Sequence, residues 1–307
     1  MDVRDVIVTH VIGPVMMLVL IAVYTPISRF DVLGTIAAAA CPLIFLWFAG
    51  RWHLASVWLR QMLPFAVLAI AAVSCHRWRR LPMYASNGAR TWILRSVKGA
   101  LILFVSVRLV AALEGRKAPE PTVALEVPFR DGTFYVGQGG STAALNYHVV
   151  NRTQRYALDI VRLTPWGNRG VRLHPRSLGE YASYGTPVYA PCSGHIQHIE
   201  SSLRDNTTLS ESDRARPAGN QIVLRCDGTD VDILLAHLQK GSVQVTVGEH
   251  IATGAPLAAV GNSGSSTEPH LHIHAKRGGS PHSGMEGEGI PIAFGGQFLS
   301  RNAVIRR

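Results

Sequence analysis

The chain has 307 residues and a mass of 33.3 kDa, and its mean hydropathy of +0.16 is too apolar for an ordinary soluble protein. Its 30 Lys and Arg residues exceed its 20 Asp and Glu residues, but residues 1–113 hold 11 basic and 3 acidic residues, whereas residues 114–307 hold 19 and 17. Because the positive charge accompanies the apolar part, it indicates membrane topology and argues against nucleic acid as a partner.

Apolar segments of membrane-spanning length dominate residues 1–113. Three of them approach the roughly 20 residues that cross a bilayer, so we predict three transmembrane helices in contact with lipid. They are residues 6–24, 32–49 and 54–75. The first lacks a small-residue cleavage site and is not expected to be a removable signal peptide. A fourth segment, 92–113, carries Arg95, Lys98 and Arg108, and we predict either a fourth span or an amphipathic helix in the membrane interface.

Basic residues cluster between the third and fourth apolar segments, within residues 76–98. The cluster consists of Arg77, Arg79, Arg80, Arg90, Arg95 and Lys98. The positive-inside rule places it in the cytoplasm. If residues 92–113 then span the membrane, everything after Leu113 lies outside; if they lie flat, it lies in the cytoplasm. We expect the first arrangement, a multi-pass protein of the cytoplasmic (inner) membrane with its C-terminal domain on the extracytoplasmic side.

The rest of the chain has the pattern of a β protein. Residues 114–126, which include Pro119 and Pro121, are predicted to form an extended linker. From residue 127 onward, short alternating runs bounded by Gly, Pro, Asn and Asp predict an all-β domain with an antiparallel sheet, residues 127–307. Predicted strands include residues 156–160, 186–190, 195–199, 221–225, 231–238, 243–247, 257–260 and 270–275. The polar residues 201–218 are predicted to form a surface loop.

A metal-site signal lies in residues 261–274. A turn rich in Gly and Ser leads into a strand on which His270, His272 and His274 share one face, because side chains alternate along a strand. Imidazoles aligned in this way can converge on one divalent cation. Asp159 lies in an otherwise apolar strand, where a carboxylate is costly unless it is paired or bound to metal. Two imidazoles and one carboxylate would leave tetrahedral zinc an open fourth position, as in catalytic sites.

Several short motifs between residues 132 and 305 together resemble the lysostaphin-type (LytM-like) zinc endopeptidases, a family that cuts peptidoglycan peptides. The motifs are Gly137-Gln138-Gly139-Gly140-Ser141, Asn146-Tyr147-His148, Tyr156-Ala157-Leu158-Asp159, Gly185-Thr186-Pro187-Val188-Tyr189-Ala190-Pro191 with Gly194, Ala236-His237-Leu238, Gly241-Ser242-Val243, Gly261-Asn262-Ser263-Gly264 and Pro269-His270-Leu271-His272. The resemblance implies one zinc ion held by His148, Asp159 and His272. Ten residues separate His148 from Asp159, whereas three are usual in the family, and the assignment follows a branch with a longer loop here.

The resemblance also implies that His270 and His237 stand beside the zinc without binding it as primary ligands. A bound zinc would supply an activated water and a Lewis acid, His270 would accept the water's proton as general base, and His237 would hydrogen-bond the developing oxyanion. The expected function is a membrane-anchored zinc metalloendopeptidase that hydrolyses peptide cross-links of peptidoglycan outside the cytoplasmic membrane. The alternative is a non-catalytic regulatory or wall-binding module of the same fold, which the retention of all five site residues disfavours.

Other polar residues and the cysteines have less specific interpretations. His274 is expected to be exposed or to line the groove, and Asp232 is expected to be solvated or to form a turn. Histidines without convergent partners are predicted to be surface residues, namely His174, His195, His198, His250 and His282. Cys192 and Cys226 lie in predicted strands, where an oxidising exterior would favour a disulfide between them.

Overall fold

The structure is a computed structural model that describes residues 3–207, 213–283 and 286–307. Residues 208–212 of the predicted loop 201–218 therefore lie outside the described residues. The chain divides into two compact units, Met1–Leu113 and Glu114–Arg307. The division follows the change from long apolar segments to short alternating runs, and we describe each unit by itself.

The N-terminal unit is helical. Its helices are α1 (Val3–Ile7), a π-helical turn (Val8–Ile12), α2 (Gly13–Val23), α3 (Arg29–Ala49), α4 (Val57–Arg77) and α5 (Ala89–Glu114). Within the described residues, four helical segments are long and apolar enough to cross a membrane: Arg4–Val23, Arg29–Ala49, Val57–Arg77 and Ala89–Glu114. The helical half of the predicted fold class is confirmed, and the segment that carries Arg95 is a continuous helix of 26 residues.

Two of the charges in α5 contact α3. Arg95 Nε lies 2.9 Å from Asp31 Oδ1, and both side chains are buried within the unit. Lys98 Nζ donates to Thr35 Oγ1 at 2.7 Å. Pairing of this kind lowers the cost of placing charge in an apolar helix, because a partner helix replaces the hydration that is lost. Two of the three charges that weighed against a fourth span, those of Arg95 and Lys98, thus have partners on a neighbouring helix.

The C-terminal unit is built from short strands. They are β1 (Val123–Leu125), β2 (Thr133–Gln138), β3 (Leu158–Arg162), β4 (Pro187–Tyr189), β5 (Gly194–Glu200), β6 (Asn220–Cys226), β7 (Val231–Leu238), β8 (His250–Ile251), β9 (Pro256–Ala259), β10 (Leu271–Arg277), β11 (Glu288–Ile290), β12 (Ile292–Phe294), β13 (Gln297–Phe298) and β14 (Val304–Arg306). In the part of the chain that the structure describes, nine of them form one sheet in the order β14-β2-β3-β10-β7-β6-β5-β8, with β11 paired to β10. Neighbouring strands of this sheet are antiparallel, which confirms the β half of the predicted fold class.

The apolar core lies on one face of the large sheet. Ile160, Leu224 and Ile273 from this sheet pack in one cluster with Val188 and Leu257, which belong to the separate pair of strands β4 and β9. Fully burying a side chain of this size contributes about 1.5–3 kcal/mol. The opposite face of β10 carries His272, and the core therefore fixes the strand that presents the candidate site.

Two sequence predictions differ from the structure. Residues 243–247 form no strand, although the Gln244 amide donates to the Leu257 carbonyl at 2.9 Å. The alternation of apolar and polar residues in this segment arises because Val243 and Val245 pack against the core, while the segment forms no strand of a sheet. The predicted linker 114–126 is shorter at its C-terminal end, because β1 pairs with β12 in a small separate sheet.

A disulfide closes the ends of two neighbouring strands. Cys192 precedes β5 and Cys226 ends β6, and the structure joins them, as expected from the sequence. The sulfur atoms connect residues 34 positions apart along the chain. A cross-link over such a loop removes conformational freedom from the unfolded chain, which stabilises the folded unit.

Removing this disulfide should destabilise the C-terminal unit. For the double variant Cys192→Ser with Cys226→Ser, the free energy of unfolding should fall by about 2–4 kcal/mol, because the unfolded chain regains the freedom lost on loop closure. Guanidinium unfolding of the full chain in detergent, followed by the β-sheet circular dichroism signal, measures this change. Cys41→Ser, in the helical unit, is the control. An unfolding midpoint equal to that of the wild type would contradict the prediction.

Candidate metal centre

The three predicted metal ligands meet at one place. Ligand atoms of His148, Asp159 and His272 all lie within 4.8 Å of one another, and all three residues are buried. Asp159 Oδ1 is 3.0 Å from His148 Nε2 and 2.9 Å from His272 Nδ1. One carboxylate and two imidazoles are a donor set that suits zinc, and their convergence fits a single ion.

Strand register brings two of these ligands together. In the antiparallel pair of β3 and β10, Asp159 is directly opposite His272. Directly opposed residues project to the same face of a sheet with their Cβ atoms about 5 Å apart. The flanking Leu271 and Ile273 project to the other face and belong to the core. The carboxylate is therefore placed beside the imidazole by backbone pairing, and the apolar neighbours fix which face both occupy.

His148 approaches from a loop that is held by one buried amide. It lies in the 3₁₀-helix Tyr147–Val150, where the side-chain oxygen of Asn146 accepts a hydrogen bond from the His148 backbone amide at 3.1 Å. The side-chain nitrogen of Asn146 donates to the carbonyls of Gly140 and Ala157 at 3.0 and 3.1 Å. Asn146 thereby connects the loop of His148 to the chain that enters β3. This connection holds His148 near Asp159, although ten residues separate the two in the sequence.

Two further side chains contact the ligands and were not predicted to do so. The Tyr147 hydroxyl donates to Asp159 Oδ2 at 3.3 Å. His274 Nδ1 lies 3.0 Å from His272 Nε2, and His274 is only 1% exposed. The expectation that His274 would be exposed or line the groove was wrong, because this face of β10 is covered. Its shared face with His272 was the signal in the sequence that could have identified the contact.

His270 and His237 lie beside the ligand cluster and make the same kind of hydrogen bond. His270 Nε2 is 3.6 Å from Asp159 Oδ1, and His270 Nδ1 donates to the Glu268 carbonyl at 2.8 Å. His237 Nδ1 donates to the Ser263 carbonyl at 2.9 Å, and the two imidazole ring centroids are 4.7 Å apart. Because a carbonyl can only accept, each neutral ring carries its proton on Nδ1 and presents Nε2 as a proton acceptor.

A distortion of β7 turns His237 toward the cluster. Its φ of +60° is in the left-handed region, which is uncommon for residues other than glycine. The pairing of β6 with β7 shifts register between Asn220 and Ile222, a bulge that re-aims the side chain opposite. Ser263 fixes this geometry, because its hydroxyl accepts from the Asn220 amide at 2.9 Å and donates to the Leu238 carbonyl at 2.8 Å.

Burial shifts the proton equilibria of the cluster. It lowers the pKa of the His272 imidazole to about 4. Burial is also the largest cause of a lowered pKa in His237, His270 and His274. For Asp159, burial alone would raise the pKa, but the neighbouring His148, His270 and His272 together hold it well below its usual range. These shifts favour an ionised Asp159 carboxylate and a neutral His272 imidazole, the protonation states in which carboxylate and imidazole groups bind a cation.

The cluster opens into a cleft of about 170 Å³, whose lining includes His148, His237 and His272. A second cleft of about 400 Å³ shares Gln154, Pro217 and Ala218 with the first. The two clefts therefore adjoin, and the residues just before β6 form part of the wall of both. Pro217 and Ala218, at the C-terminal end of the predicted surface loop 201–218, are the loop residues that line both clefts.

Three of the remaining sequence predictions need correction. Asp232 is 1% exposed and forms two hydrogen bonds with Arg225, at 2.8 and 3.0 Å, because the residues are opposed in β6 and β7. His195 and His250 are exposed, as predicted, but they do have convergent partners, since their ligand atoms and one of Asp227 lie within 4.8 Å of one another. His198 Nδ1 and His282 Nδ1 are 2.9 Å apart. Cross-strand and loop-to-strand pairings of this kind are invisible in local sequence patterns.

Comparison with known proteins gives matches to part of the chain. Residues 178–283 match the family described as Peptidase family M23, and the match contains His237, His270 and His272 but begins after His148 and Asp159. A relative from Haemophilus influenzae, named "Uncharacterized metalloprotease", is 31% identical over 102 residues, which is 33% of this chain and 18% of the relative. The chain thus spans less than a fifth of the length of this curated relative.

Solved structures give similar partial matches. Lysostaphin from Staphylococcus simulans is 28% identical over 32% of this chain and 36% of its own chain, with a TM-score of 0.25. A zinc containing peptidase from Vibrio cholerae is 22% identical over 36% of this chain and 29% of its own, with a TM-score of 0.26.

The buried imidazoles should make the metal-free protein sensitive to mild acid. Because their pKa values in the folded chain lie below the ordinary 6.5, the unfolded chain binds more protons as the pH falls, so stability present above pH 6.5 is lost toward pH 4. Each such imidazole contributes up to about 1.4 kcal/mol per pH unit in that window. Guanidinium unfolding of the chelator-treated chain at a series of pH values measures the slope.

A variant separates this effect from general acid sensitivity. His272→Asn keeps a buried amide but removes one titrating group, so the slope between pH 6.5 and 4 should decrease. His174→Asn, at an exposed position, should leave it unchanged. A metal-free wild type whose stability is constant across this window would contradict the prediction.

Proposed function

The C-terminal unit of this chain carries a peptidase family M23 domain, and from that premise we propose that the protein is a membrane-anchored zinc metalloendopeptidase that hydrolyses peptide cross-links of peptidoglycan outside the cytoplasmic membrane. The observation that carries the proposal is the convergence of His148, Asp159 and His272 from three separate segments. All three are buried, and Asp159 and His272 lie on paired strands, which favours a built site over a chance cluster.

The donor set fits one zinc ion. His148 and His272 would each offer a neutral imidazole nitrogen, and Asp159 would offer an ionised carboxylate oxygen. A zinc ion held there would supply a Lewis acid for the scissile carbonyl and lower the pKa of a water that it binds. Tyr147 contacts Asp159 and His274 contacts His272, and partners of this kind orient metal ligands and set their tautomers.

His270 is the proposed general base. Its Nδ1 donates its proton to the Glu268 carbonyl, so Nε2 carries the free lone pair. Nε2 is also the nitrogen that faces the ligand cluster, since it lies 3.6 Å from Asp159 Oδ1. Burial lowers the pKa of this imidazole, which keeps it unprotonated and able to accept a proton at neutral pH. A base in this position takes a proton from the attacking water and can return it to the leaving amine.

His237 is the proposed partner of the developing oxyanion. Its neutral form donates from Nδ1 to the Ser263 carbonyl, so Nε2 can donate to an oxyanion only after that nitrogen has gained a proton. The ring of His270 lies 4.7 Å away between centroids, close enough for the two imidazoles to influence each other's protonation. We therefore assign the donor role to the protonated form of His237. Burial and the neighbouring imidazoles of His270 and His272 lower the pKa of this group in the resting chain, so it would gain the proton only as the negative charge of the oxyanion develops beside it.

The clefts support a peptide as substrate. The cleft at the cluster is continued by a second one through the shared residues Gln154, Pro217 and Ala218, which gives room for an extended chain that leads away from the cluster. Peptidoglycan peptides as the substrate follow from the resemblance of the motifs to lysostaphin-type enzymes. The N-terminal helices would anchor the enzyme in the bilayer beneath that substrate.

Two substitutions separate metal binding from proton transfer. His272→Ala should bind one zinc ion fewer than the wild type, because it removes a ligand, and should not cleave wall peptide. His270→Ala should keep the same zinc content while kcat falls by about 10²–10⁴-fold, because only the base is lost. The measurements are zinc content and cleavage of purified peptidoglycan peptides by the full chain in detergent.

His174→Ala is the control, since His174 is exposed and lies outside the cluster, and it should match the wild type in both assays. Cleavage that survives both site substitutions would overturn the assigned site. A wild type that binds zinc at the cluster but cleaves no wall peptide would favour the alternative function, a non-catalytic regulatory or wall-binding module.

The proposed topology has its own test. Ser177→Cys places a thiol at an exposed position of the C-terminal unit, and Ser86→Cys places one in the exposed segment between α4 and α5. A membrane-impermeant maleimide should label the first in intact cells and the second only after lysis, because positively charged loops stay in the cytoplasm. Labelling of Ser86→Cys in intact cells, with Ser177→Cys protected, would place the domain in the cytoplasm.

A further inference from the structure

We propose that His195, His250 and Asp227 form a second metal site, separate from the candidate metal centre, that takes one borderline divalent transition cation such as Zn²⁺. Each of these residues offers one ligand atom, and the three atoms lie within 4.8 Å of one another. The ligand atoms of His148, Asp159 and His272 meet the same distance limit. The two clusters also have the same donor set, two imidazoles and one carboxylate.

The backbone holds the three residues in place without a metal. His195 in β5 is directly opposite His250 in β8, so their side chains share one face, and their ring centroids are 4.7 Å apart. Asp227 follows the last residue of β6, and its amide donates to the Ser193 carbonyl at 2.9 Å. The disulfide between Cys192 and Cys226 links the same two segments next to Ser193 and Asp227. The backbone at the three positions therefore has little conformational freedom to lose when an ion binds.

The side chains already adopt contacts that a cation would replace. His250 Nε2 lies 2.8 Å from Asp227 Oδ2, so the proton on this nitrogen forms a hydrogen bond to the carboxylate in the metal-free chain. A divalent ion would take the place of that proton and add the imidazole of His195 as a third ligand. Nitrogen and carboxylate donors together select zinc, nickel or copper over magnesium and calcium, which prefer oxygen ligands alone.

The site differs from the proposed catalytic one in its exposure. His250 and Asp227 have side chains that are 51% and 48% exposed, and His195 is also exposed. None of the three lines either cleft at the candidate metal centre. A bound ion would keep water on its open side and would join the edge strand β8, which has only two residues, to β5 and the end of β6. The expected role is therefore to fasten a sheet edge.

Counting bound metal in variants of the full chain tests the proposal. In detergent at micromolar free Zn²⁺, His195→Ala, His250→Ala and Asp227→Ala should each bind one zinc ion fewer than the wild type. His282→Ala is the matched control, because it removes one histidine of another close pair, His198 with His282. It should bind as much zinc as the wild type, and saturating zinc should raise the unfolding temperature of wild type more than that of His250→Ala.

The outcomes distinguish this site from the catalytic proposal. A zinc content that is unchanged in His195→Ala and His250→Ala would overturn the second site, whatever happens to wall-peptide cleavage. Loss of one ion in these variants, with none lost in His272→Ala, would support the second site while overturning the proposed catalytic one. Loss of zinc in His282→Ala but not in His250→Ala would assign surface binding to the other histidine pair and overturn the proposal.

Discussion

The pairing of Asp159 with His272 across β3 and β10 is the constraint on which the candidate site depends. It buries a carboxylate, and burial by itself opposes the ionised form of that group. The charge persists because imidazoles contact it from different segments of the chain, His148 from a loop and His270 from the entry to β10. A cation would satisfy the remaining charge and would therefore link metal binding to the folding of all three segments.

Three imidazoles of the cluster are held by their second ring nitrogen. His237 and His270 donate to backbone carbonyls, and His272 is in contact with His274 through Nε2. Such contacts fix both the tautomer and the direction of the ring, so the nitrogen that faces the cluster is determined by groups outside it. The backbone carbonyls belong to Ser263 and to the segment before β10. The Gly- and Ser-rich turn thus has a positional role, and at Gly264, with φ of +76°, any Cβ would lie 2.3 Å from the Gly219 amide.

Much of this arrangement could be predicted from sequence, and the failures have physical causes. Alternation along residues 270–275 correctly identified the shared face, and the unusual carboxylate at Asp159 indicated a site. His274 was misjudged because local alternation shows which face a residue occupies but not whether another segment covers it. The cluster of His195 with His250 was missed because it arises from the register of β5 with β8, two strands separated by two others in the sequence. The bulge that turns His237 is likewise a property of strand pairing.

The polar face of β10 continues beyond the ligand cluster to a buried lysine, which needs hydrogen-bond partners from the segment that follows the strand. Lys276 is fully buried, and its ammonium donates to the carbonyls of Ser280 and Ser283 at 2.6 and 2.8 Å. It is opposed in β7 by Asp232, which in turn pairs with an arginine of β6. Buried charges of this kind cost free energy unless partners surround them, so the segment after β10 must fold over the strand to supply carbonyls. His274, on the same face of β10, is likewise buried, so the polar face of this strand is shielded from solvent both at the ligand cluster and at Lys276.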